Sequence, residues 1–284
     1  MPEPSAEYQN LRLEELNYNS YLRVPELLSL QRQLSDPPHH DEMFFIVIHQ
    51  SFELWFKEVL HETDLLLVCL REGSISRVLK ILKRVQGILE CLVRQIRLLE
   101  TLTPVEFAGF RDRLKPASGF QSVQFREIEY AYGLREDFFL RFFAGDEAAT
   151  ARLRRRLQEP SVWDEALRCL AREGVPVPAR VLERDVSRPH LLDEELVAVL
   201  QDLYEDPGTE YHRVLLLEAL LDVDSLFSQW RAVHILMVSR TIGGVRGTGG
   251  SSGREFLESR LPHRFFPELW ELRSRVQQER ETGA

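Results

Sequence analysis

The sequence predicts an all-α fold, and two observations support this prediction. Apolar residues recur at intervals of three and four positions along most of the 284 residues, which is the spacing of helices that bury one face. Signals for strands are nearly absent, because the chain has no alternating β-branched runs and no Asn-Gly or Asp-Gly pairs. Since no Pro-rich or Ser/Gly-rich linker divides the chain, we expect a single domain built on a bundle of long helices with shorter peripheral helices.

Three helices are predicted in the first hundred residues. Pro25 suits the first turn of a helix over residues 24–34, which Asp36-Pro37-Pro38 should end. A second and much longer helix should run over about 41–70. A third should span about 76–99, and its apolar residues at heptad-like spacing form a continuous stripe that must pack on other helices.

Capping signals predict the helices that follow. Thr103-Pro104-Val105-Glu106 combines a capping box with proline in the first helical position, so a short helix should run through about Phe110. Another should begin at Phe120, and Ser161 should cap a later one. The last long helix should extend over about 209–242.

This last helix is followed by a glycine-rich loop. Six of the 15 glycines lie between Gly243 and Gly253, more than a connector between two helices requires. The loop lacks the lysine of a phosphate-binding Gly-x-x-x-x-Gly-Lys-Ser/Thr motif, so a nucleotide site is disfavoured. It could hold a carboxylate through backbone N–H groups, close over a cavity as a lid, or be a flexible connector without a further role.

Charge and cysteine content exclude several classes of protein. A net charge of -9 provides no electrostatic basis for binding nucleic acid or an anionic membrane. The three cysteines form no Cys-x-x-Cys pair, which disfavours a disulfide framework, a zinc ribbon and covalently attached haem. No apolar run approaches the roughly 18 residues of a membrane span, and no signal peptide is recognisable. We therefore expect a cytoplasmic protein.

Two of the eight histidines lie on strongly apolar parts of long predicted helices. His49 shares a helix face with Phe45, Phe52 and Phe56, and His234 lies among aliphatic residues. A single histidine in such a place is more often a core residue with satisfied hydrogen bonds. Two of them on two long helices of one bundle favour a ligand pocket.

Haem is one ligand that such a pocket could take, because neutral imidazole between helices commonly holds haem iron. The residues themselves do not decide which histidine would bind the iron. The main alternative is a di-iron carboxylate bundle, which needs Glu-x-x-His twice. Only Glu58 and His61 supply that motif, and an exposed helix face explains them more simply.

Arg111 is a candidate for binding a carboxylate. It follows directly after an apolar turn, from which its planar guanidinium could form a bidentate pair. A surface ion pair with Asp112 or Glu106 is the simpler interpretation of the same residue.

Several motifs coincide in order and spacing with those of one known family. Each is weak alone, but together they are specific and cover nearly the whole chain, from about 18 to 270. They are Tyr18-x-x-Tyr21-Leu22, His40-Asp41-Glu42-Met43-Phe44-Phe45-Ile46-Val47-Ile48-His49-Gln50, Glu53-Leu54-Trp55-Phe56-Lys57, Gly109-Phe110-Arg111-Asp112, Ser118-Gly119-Phe120-Gln121-Ser122, Trp230-Arg231 through His234 to Arg240-Thr241-Ile242-Gly243, and Arg246-Gly247-Thr248-Gly249-Gly250-Ser251-Ser252-Gly253. On these motifs the sequence resembles tryptophan 2,3-dioxygenase.

The resemblance implies a homotetramer of all-α subunits, each with one non-covalent haem b between the central helices. It implies insertion of both atoms of O2 across the indole C2–C3 bond of L-tryptophan, which gives N-formyl-L-kynurenine in the kynurenine pathway of tryptophan degradation. Residues 1–17 would form an N-terminal arm, and residues 18–284 would form the haem-binding domain.

The resemblance also implies roles for individual residues. His234 would be the proximal iron ligand, and His49 would be the distal catalytic residue that faces the indole N–H. Arg111 and Thr248 would bind the amino-acid end of the substrate. Phe45, Leu114 and Phe125 would line the indole pocket; Ser118, Gly119 and Trp230 would contact the haem; and Tyr18, Tyr21 and Leu22 would come from a neighbouring subunit.

Two other functions stay open at this point. A haem monooxygenase of the same superfamily would leave one oxygen on the indole as an oxindole, from tryptophan or a methylated tryptophan in secondary metabolism. It would share the haem and the amino-acid recognition. A helical haem sensor or binding module, from a different class, would show no turnover.

Overall fold

The structure, a computed structural model, describes residues 16–243 and 254–282. Over these residues the chain forms helices and connecting loops without a β-strand, which confirms the all-α prediction. Short 3-10 helices lie at Asp112–Leu114, Gly119–Gln121 and Asp137–Phe143. The α-helices are α1 (Tyr18–Leu22), α2 (Val24–Leu27), α3 (His40–Glu72), α4 (Ile75–Leu99), α5 (Pro104–Arg111), α6 (Val123–Tyr132), α7 (Glu147–Gln158), α8 (Val162–Arg172), α9 (Ala179–Leu182), α10 (Glu194–Glu205), α11 (His212–Thr241), α12 (Arg254–Ser259) and α13 (Pro267–Thr282).

Three long helices form the centre of the domain. α4 packs along both α3 and α11, whereas α3 and α11 contact each other little. The packing depends on the predicted apolar stripe of α4, in which Val78, Leu82, Val85 and Ile96 are completely buried. Burial of each such side chain stabilises the fold by about 1.5–3 kcal/mol relative to exposure. α4 therefore holds the other two long helices in place and keeps them apart.

The predicted capping signals lie at the ends of helices. Thr103 and Glu106 form the expected capping box at the start of α5, and Ser161 and Asp164 form one at the start of α8. α3 ends at Gly73, whose φ of 72° is a left-handed conformation that glycine adopts at little steric cost. Where the chain carries such a signal, the predicted and observed helix ends agree closely.

The helix predicted for residues 24–34 is wrong beyond its first turn. α2 ends at Leu27, and no α-helix continues from there to His39. At the end of the predicted helix, the buried carboxylate of Glu42 accepts hydrogen bonds from the backbone N–H groups of Leu34 at 2.7 Å and Ser35 at 3.0 Å. These donors are thus satisfied by a residue of α3 instead of by a local helix.

The helices α12 and α13 are absent from the sequence prediction. Asp224 on α11 positions the segment between them, because its Oδ2 accepts hydrogen bonds from three donors. These are the backbone N–H groups of Phe265 (2.9 Å) and Phe266 (3.2 Å) and Nε1 of Trp270 (2.9 Å). One fully buried carboxylate therefore attaches the C-terminal helices to the central bundle.

No helix in the described ranges is both long enough and apolar enough to cross a membrane. Cys69 and Cys169 are buried free thiols, and Cys91 is an exposed one. The cytoplasmic location stays a prediction.

We expect Leu89→Ala to lower the free energy of unfolding by about 2–5 kcal/mol, because it opens a cavity between α4 and its neighbours. Leu89 is 1% exposed, whereas Leu98 on the same helix is 47% exposed. Leu98→Ala is therefore the matched control, with an expected change of about 0.5 kcal/mol or less. Urea denaturation monitored by circular dichroism measures the free energy of unfolding of both variants. Equal losses of stability in the two variants would show that α4 does not pack as described.

Candidate functional site

A cavity of about 570 Å³ lies in the gap between α3 and α11. It is closed by α5, α6, α12 and the turns around residues 114–122. Its volume is within the range of small-molecule and cofactor sites. Its lining residues are Phe45, His49, Phe52, Glu53, Phe56, Leu99, Leu102, Phe107, Leu114, Ala117, Ser118, Gly119, Phe120, Gln121, Ser122, Phe125, Arg126, Glu129, Trp230, Arg231, His234, Met237, Val238, Thr241, Ile242, Phe256, Leu257 and Arg260.

Both histidines singled out in the sequence line this cavity, His49 from α3 and His234 from α11. Burial, together with the nearby His49, lowers the pKa of His234 to about 4. At neutral pH the His234 imidazole is therefore uncharged and has a lone pair available. An uncharged imidazole in an apolar cavity is suited to bind a metal ion.

Hydrogen bonding defines the tautomer of His49. Its Nδ1 lies 2.8 Å from the carbonyl oxygen of Phe45, one turn earlier on α3. Because a carbonyl oxygen only accepts, Nδ1 must donate, and Nε2 of the neutral ring is left as an acceptor. Burial lowers the pKa of His49, although the Phe45 hydrogen bond and the charge of Glu53 act in the opposite direction. His49 is thus a neutral acceptor in the wall of the cavity.

Aromatic rings form an arc along the cavity wall from His234 to His49. The Trp230 ring stacks on His234 with centroids 5.0 Å apart. The Phe45 ring lies 4.0 Å from the His49 ring at the other end. The successive pairs between these ends are Trp230 and Phe125 (4.9 Å), Phe125 and Phe56 (5.6 Å), Phe56 and Phe52 (6.3 Å), and Phe52 and His49 (6.0 Å). This lining suits a flat, largely apolar molecule.

The turn before α6 brings two further predicted residues to the cavity. Ser118 and Gly119 both line it. The helix predicted from Phe120 begins three residues later, at Val123, because Gly119–Gln121 forms a 3-10 helix. The Ser118 N–H donates to Oε1 of Gln121 at 3.1 Å, which stabilises this tight turn. The backbone therefore approaches the cavity closely at Gly119, where no side chain intervenes.

Phe45, Leu114 and Phe125 line the cavity, whereas Arg111 is not among its lining residues. Arg111 is half-buried at the end of α5, between the lining residues Phe107 and Leu114. Lys115 competes with Arg111 for Asp112, one of the two surface partners considered for Arg111, because Asp112 forms a salt bridge with Lys115 at 2.7 Å.

Other predicted residues lie away from the cavity or outside the described ranges. Tyr18, Tyr21 and Leu22 on α1 are 74%, 72% and 45% exposed and do not line it. Thr248 and the glycine loop from 244 to 253 lie outside the described residues. In the part of the chain that is described, no group of three or more His, Cys, Asp or Glu side chains is arranged to hold a metal ion.

The sequence analysis missed a charged group at one end of the cavity. Arg126 and Glu129 of α6, Arg231 of α11 and Arg260 after α12 all line it and are buried. Glu129 accepts from Arg126 and, at 3.1 Å, from Arg231. An Arg-x-x-Glu pair on a helix is typical of an exposed face. The sequence pattern therefore does not indicate that this pair is buried.

A family model and the curated relatives of this chain indicate the same family. A family model described as tryptophan 2,3-dioxygenase matches residues 5–153 and 194–276. Tryptophan 2,3-dioxygenase of Xanthomonas campestris pv. campestris (strain B100) is 45% identical over 92% of this chain and 88% of its own length. The protein of the same name from Xanthomonas euvesicatoria pv. vesicatoria (strain 85-10) is 44% identical over the same shares. That from Bacillus thuringiensis (strain Al Hakam) is 41% identical over 93% of this chain and 94% of its own length.

The matches span the segments that carry His49, the turn at Ser118 and Gly119, and His234. They also cover nearly the whole length of the relatives, so the similarity is not confined to one motif. The chain therefore belongs to the tryptophan 2,3-dioxygenase family of enzymes.

Proposed function

We propose that this chain binds one haem b in the cavity between α3 and α11, with His234 as the iron ligand, and oxidises L-tryptophan with O2. The observation that carries the proposal is the pair of uncharged imidazoles lining one aromatic cavity. The pKa of His234, about 4, leaves its lone pair available at neutral pH. His49 uses Nδ1 within its own helix, so its Nε2 can accept a hydrogen bond from a substrate.

The described residues fit a haem. The cavity is large, lined mainly by rings, and has a backbone approach at Gly119. Trp230 stacks on His234 and restrains the imidazole plane. Among the described residues, the buried Nε1 of Trp230 has no hydrogen-bond partner, as expected of a donor that meets a polar group of a bound ligand. When bound, haem would supply the ferrous iron that activates O2.

The indole of L-tryptophan fits the end of the cavity near His49. We infer that Phe45, Leu114 and Phe125 contact its faces and edges, because all three line the cavity. The single polar group of an indole is its N–H, which can donate to Nε2 of His49. This hydrogen bond orients the C2–C3 bond and leaves no polar group of the ring buried without a partner.

The amino-acid end of L-tryptophan requires one group that binds its carboxylate and one that binds its ammonium. We assign the substrate carboxylate to Arg111, because it is half-buried and lies in the sequence between the cavity-lining residues Phe107 and Leu114. Thr248, which lies outside the described residues, is assigned to the ammonium and carboxylate groups on the family resemblance alone.

The proposed reaction balances without any further oxidant or reductant. The C2–C3 bond of the indole breaks, and each of these carbons forms a C=O bond with one atom of O2. The product, N-formyl-L-kynurenine, contains every atom of both substrates. The chain's own residues bind and orient the indole, and the rings around it keep water out of the cavity.

We infer that the active enzyme is a homotetramer in which α1 completes the site of a neighbouring subunit. Tyr18 and Tyr21 expose about three quarters of their surface, which is unusual for large side chains unless another chain covers them. α1 and α2 contact mainly each other. A second copy of this chain would cover Tyr18, Tyr21 and Leu22.

The product formed from L-tryptophan under labelled O2 tests the reaction. We expect a gain of two labelled oxygen atoms per molecule, measured by mass spectrometry. A gain of one labelled atom would instead identify the oxindole-forming monooxygenase. The absence of any oxygenated product from haem-loaded, reduced protein would indicate a sensor or binding module and would contradict the proposal.

Removal of the ligand tests the role of His234. We expect His234→Gly to lose haem during purification and to regain a haem spectrum when imidazole is supplied, because imidazole can occupy the space of the lost ring. His212→Gly is the control, since His212 lies on the same helix but pairs with Glu173 at 3.0 Å, away from the cavity. Full haem content in His234→Gly without added imidazole would rule out His234 as the iron ligand.

A substitution at Arg111 tests carboxylate binding. We expect Arg111→Ala to raise the KM for L-tryptophan by roughly tenfold or more, since a charge-assisted hydrogen bond is lost. The exposed Arg113 is the control. Binding of tryptamine, which has no carboxylate, should be unaffected by either change. A KM for L-tryptophan that Arg111→Ala leaves unaltered would exclude this role.

A further inference from the structure

We propose that Arg126 and Arg260 form a binding site for a carboxylate of the porphyrin at the end of the cavity away from His49. This inference rests on the proposed haem binding and adds an anion site that recognises the propionate side chains of the cofactor. It also explains why an otherwise aromatic cavity contains buried arginines.

The local charges leave a positive excess at this end of the cavity. Three guanidinium groups, those of Arg126, Arg231 and Arg260, meet two carboxylates, those of Glu129 and Glu136. Among the described residues, the three positive charges of this cluster are therefore paired with only two carboxylates. Burial of an uncompensated charge is costly, so a bound anion would stabilise this cluster.

Both arginines also have N–H groups that the described residues leave without acceptors. Arg126 is 5% exposed and Arg260 is 8% exposed. Among the described residues, Nε of Arg126 and both Nε and Nη2 of Arg260 have no hydrogen-bond partner. Buried polar groups of this kind are almost always satisfied in a complete structure. An acceptor supplied by a ligand accounts for all three nitrogens.

The remaining contacts hold the two guanidinium groups in fixed positions. The Arg126 guanidinium lies over the Phe139 ring, 3.3 Å from its centroid, and that of Arg260 lies 5.5 Å from the same ring. Nη1 of Arg260 donates to both carboxylate oxygens of Glu136 at 2.7 Å. Stacking on a ring face leaves the in-plane N–H groups of a guanidinium available for an anion.

The two guanidinium groups repel each other, as the pKa of Arg126 indicates. Burial lowers this pKa, Glu129 raises it, and the charge of Arg260 lowers it again. Arginine keeps its proton in proteins, so the strain is relieved by an anion instead of by loss of a proton. The charge of Glu136 also raises the pKa of Arg126, but Glu129 and Glu136 are shared among three guanidinium groups.

The position of the cluster fits the edge of a porphyrin whose iron lies at His234. Arg231 and Trp230 precede His234 by three and four residues on α11, about one helical turn of 5.4 Å. Phe125 lies against Trp230 and is followed directly by Arg126. A porphyrin held by His234 would therefore have this cluster within reach of its carboxylates. The substrate carboxylate is assigned to Arg111 on α5, a separate cation near Leu114.

The test is a titration of haem-free, full-length protein with hemin and with hemin dimethyl ester, which has the same iron and ring but no charged carboxylates. The Soret absorbance reports binding without any need for turnover. We expect the wild type to bind hemin at least about tenfold more tightly than the diester. In Arg260→Gln and Arg126→Gln this preference should fall to within about threefold, mainly through weaker binding of hemin.

Arg264→Gln is the matched control, because Arg264 donates to Ser228 and to backbone carbonyls and does not line the cavity. It should keep the wild-type preference. Arg260→Lys, which retains a charge but fewer donors, should give an intermediate preference. Far-UV circular dichroism confirms that each variant is folded.

Each outcome of the titration has a definite meaning. Binding of both porphyrins by the wild type with equal affinity would overturn the anion site but leave haem binding intact. Binding of neither would overturn the proposed function itself. If Arg260→Gln and Arg126→Gln both retain the wild-type preference, the carboxylate lies elsewhere. If neither glutamine variant folds, two other measurements test the anion site. They are the preference of the wild type for hemin over its diester and the reduction of this preference in Arg260→Lys.

A separate measurement distinguishes the porphyrin from the substrate as the source of the carboxylate. Arg260→Gln, once loaded with haem, is compared with the wild type for binding of L-tryptophan and of tryptamine. Weaker binding of L-tryptophan alone, with an unchanged preference for hemin over its diester, would assign these arginines to the substrate and would overturn the proposal. We expect Arg260→Gln to change the binding of L-tryptophan and the binding of tryptamine by the same factor.

Discussion

The architecture depends on the apolar stripe of α4, which packs on α3 and α11 and keeps these two helices apart. A gap between two long helices would normally close, because apolar side chains gain free energy by contact. Here α4 occupies one side of the gap, and the rings of α3, α6 and α11 surround the space that is left. The stability of the core and the existence of the cavity therefore have the same origin.

The separation of α3 and α11 also determines the protonation state of His49 and His234. Each imidazole lies in a largely apolar wall, where burial disfavours the charged form. A neutral His234 can donate a lone pair to iron, and a neutral His49 can accept a hydrogen bond from an indole N–H. Placing the same two residues on a solvated surface would leave both partly protonated near neutral pH. Their chemistry is thus a consequence of helix packing.

The two ends of the cavity differ in charge. Near His49 the wall is formed mainly by rings and aliphatic groups, which suit an indole, with the carboxylate of Glu53 nearby. At the other end Glu129 bridges Arg126 and Arg231, while Glu136 holds Arg260. These ion pairs connect α6, α11 and the segment after α12, so they also contribute to the fold. A ligand with one apolar part and one anionic edge can bind in only one orientation in such a space.

The amino-acid sequence by itself determined the class of the fold, the three long helices, the capped helix ends and, through its motifs, the family and the two histidines. All of these depend on local patterns of three to seven residues or on motifs that keep their spacing. Only the tertiary structure decided that Glu42 binds the backbone at Leu34, that Asp224 attaches α13, and that Arg126 and Arg260 are buried beside the cavity. The physical reason is that a charged side chain has the same local pattern whether water or a distant residue satisfies it, and only the packing of α6, α11 and α12 excludes the water.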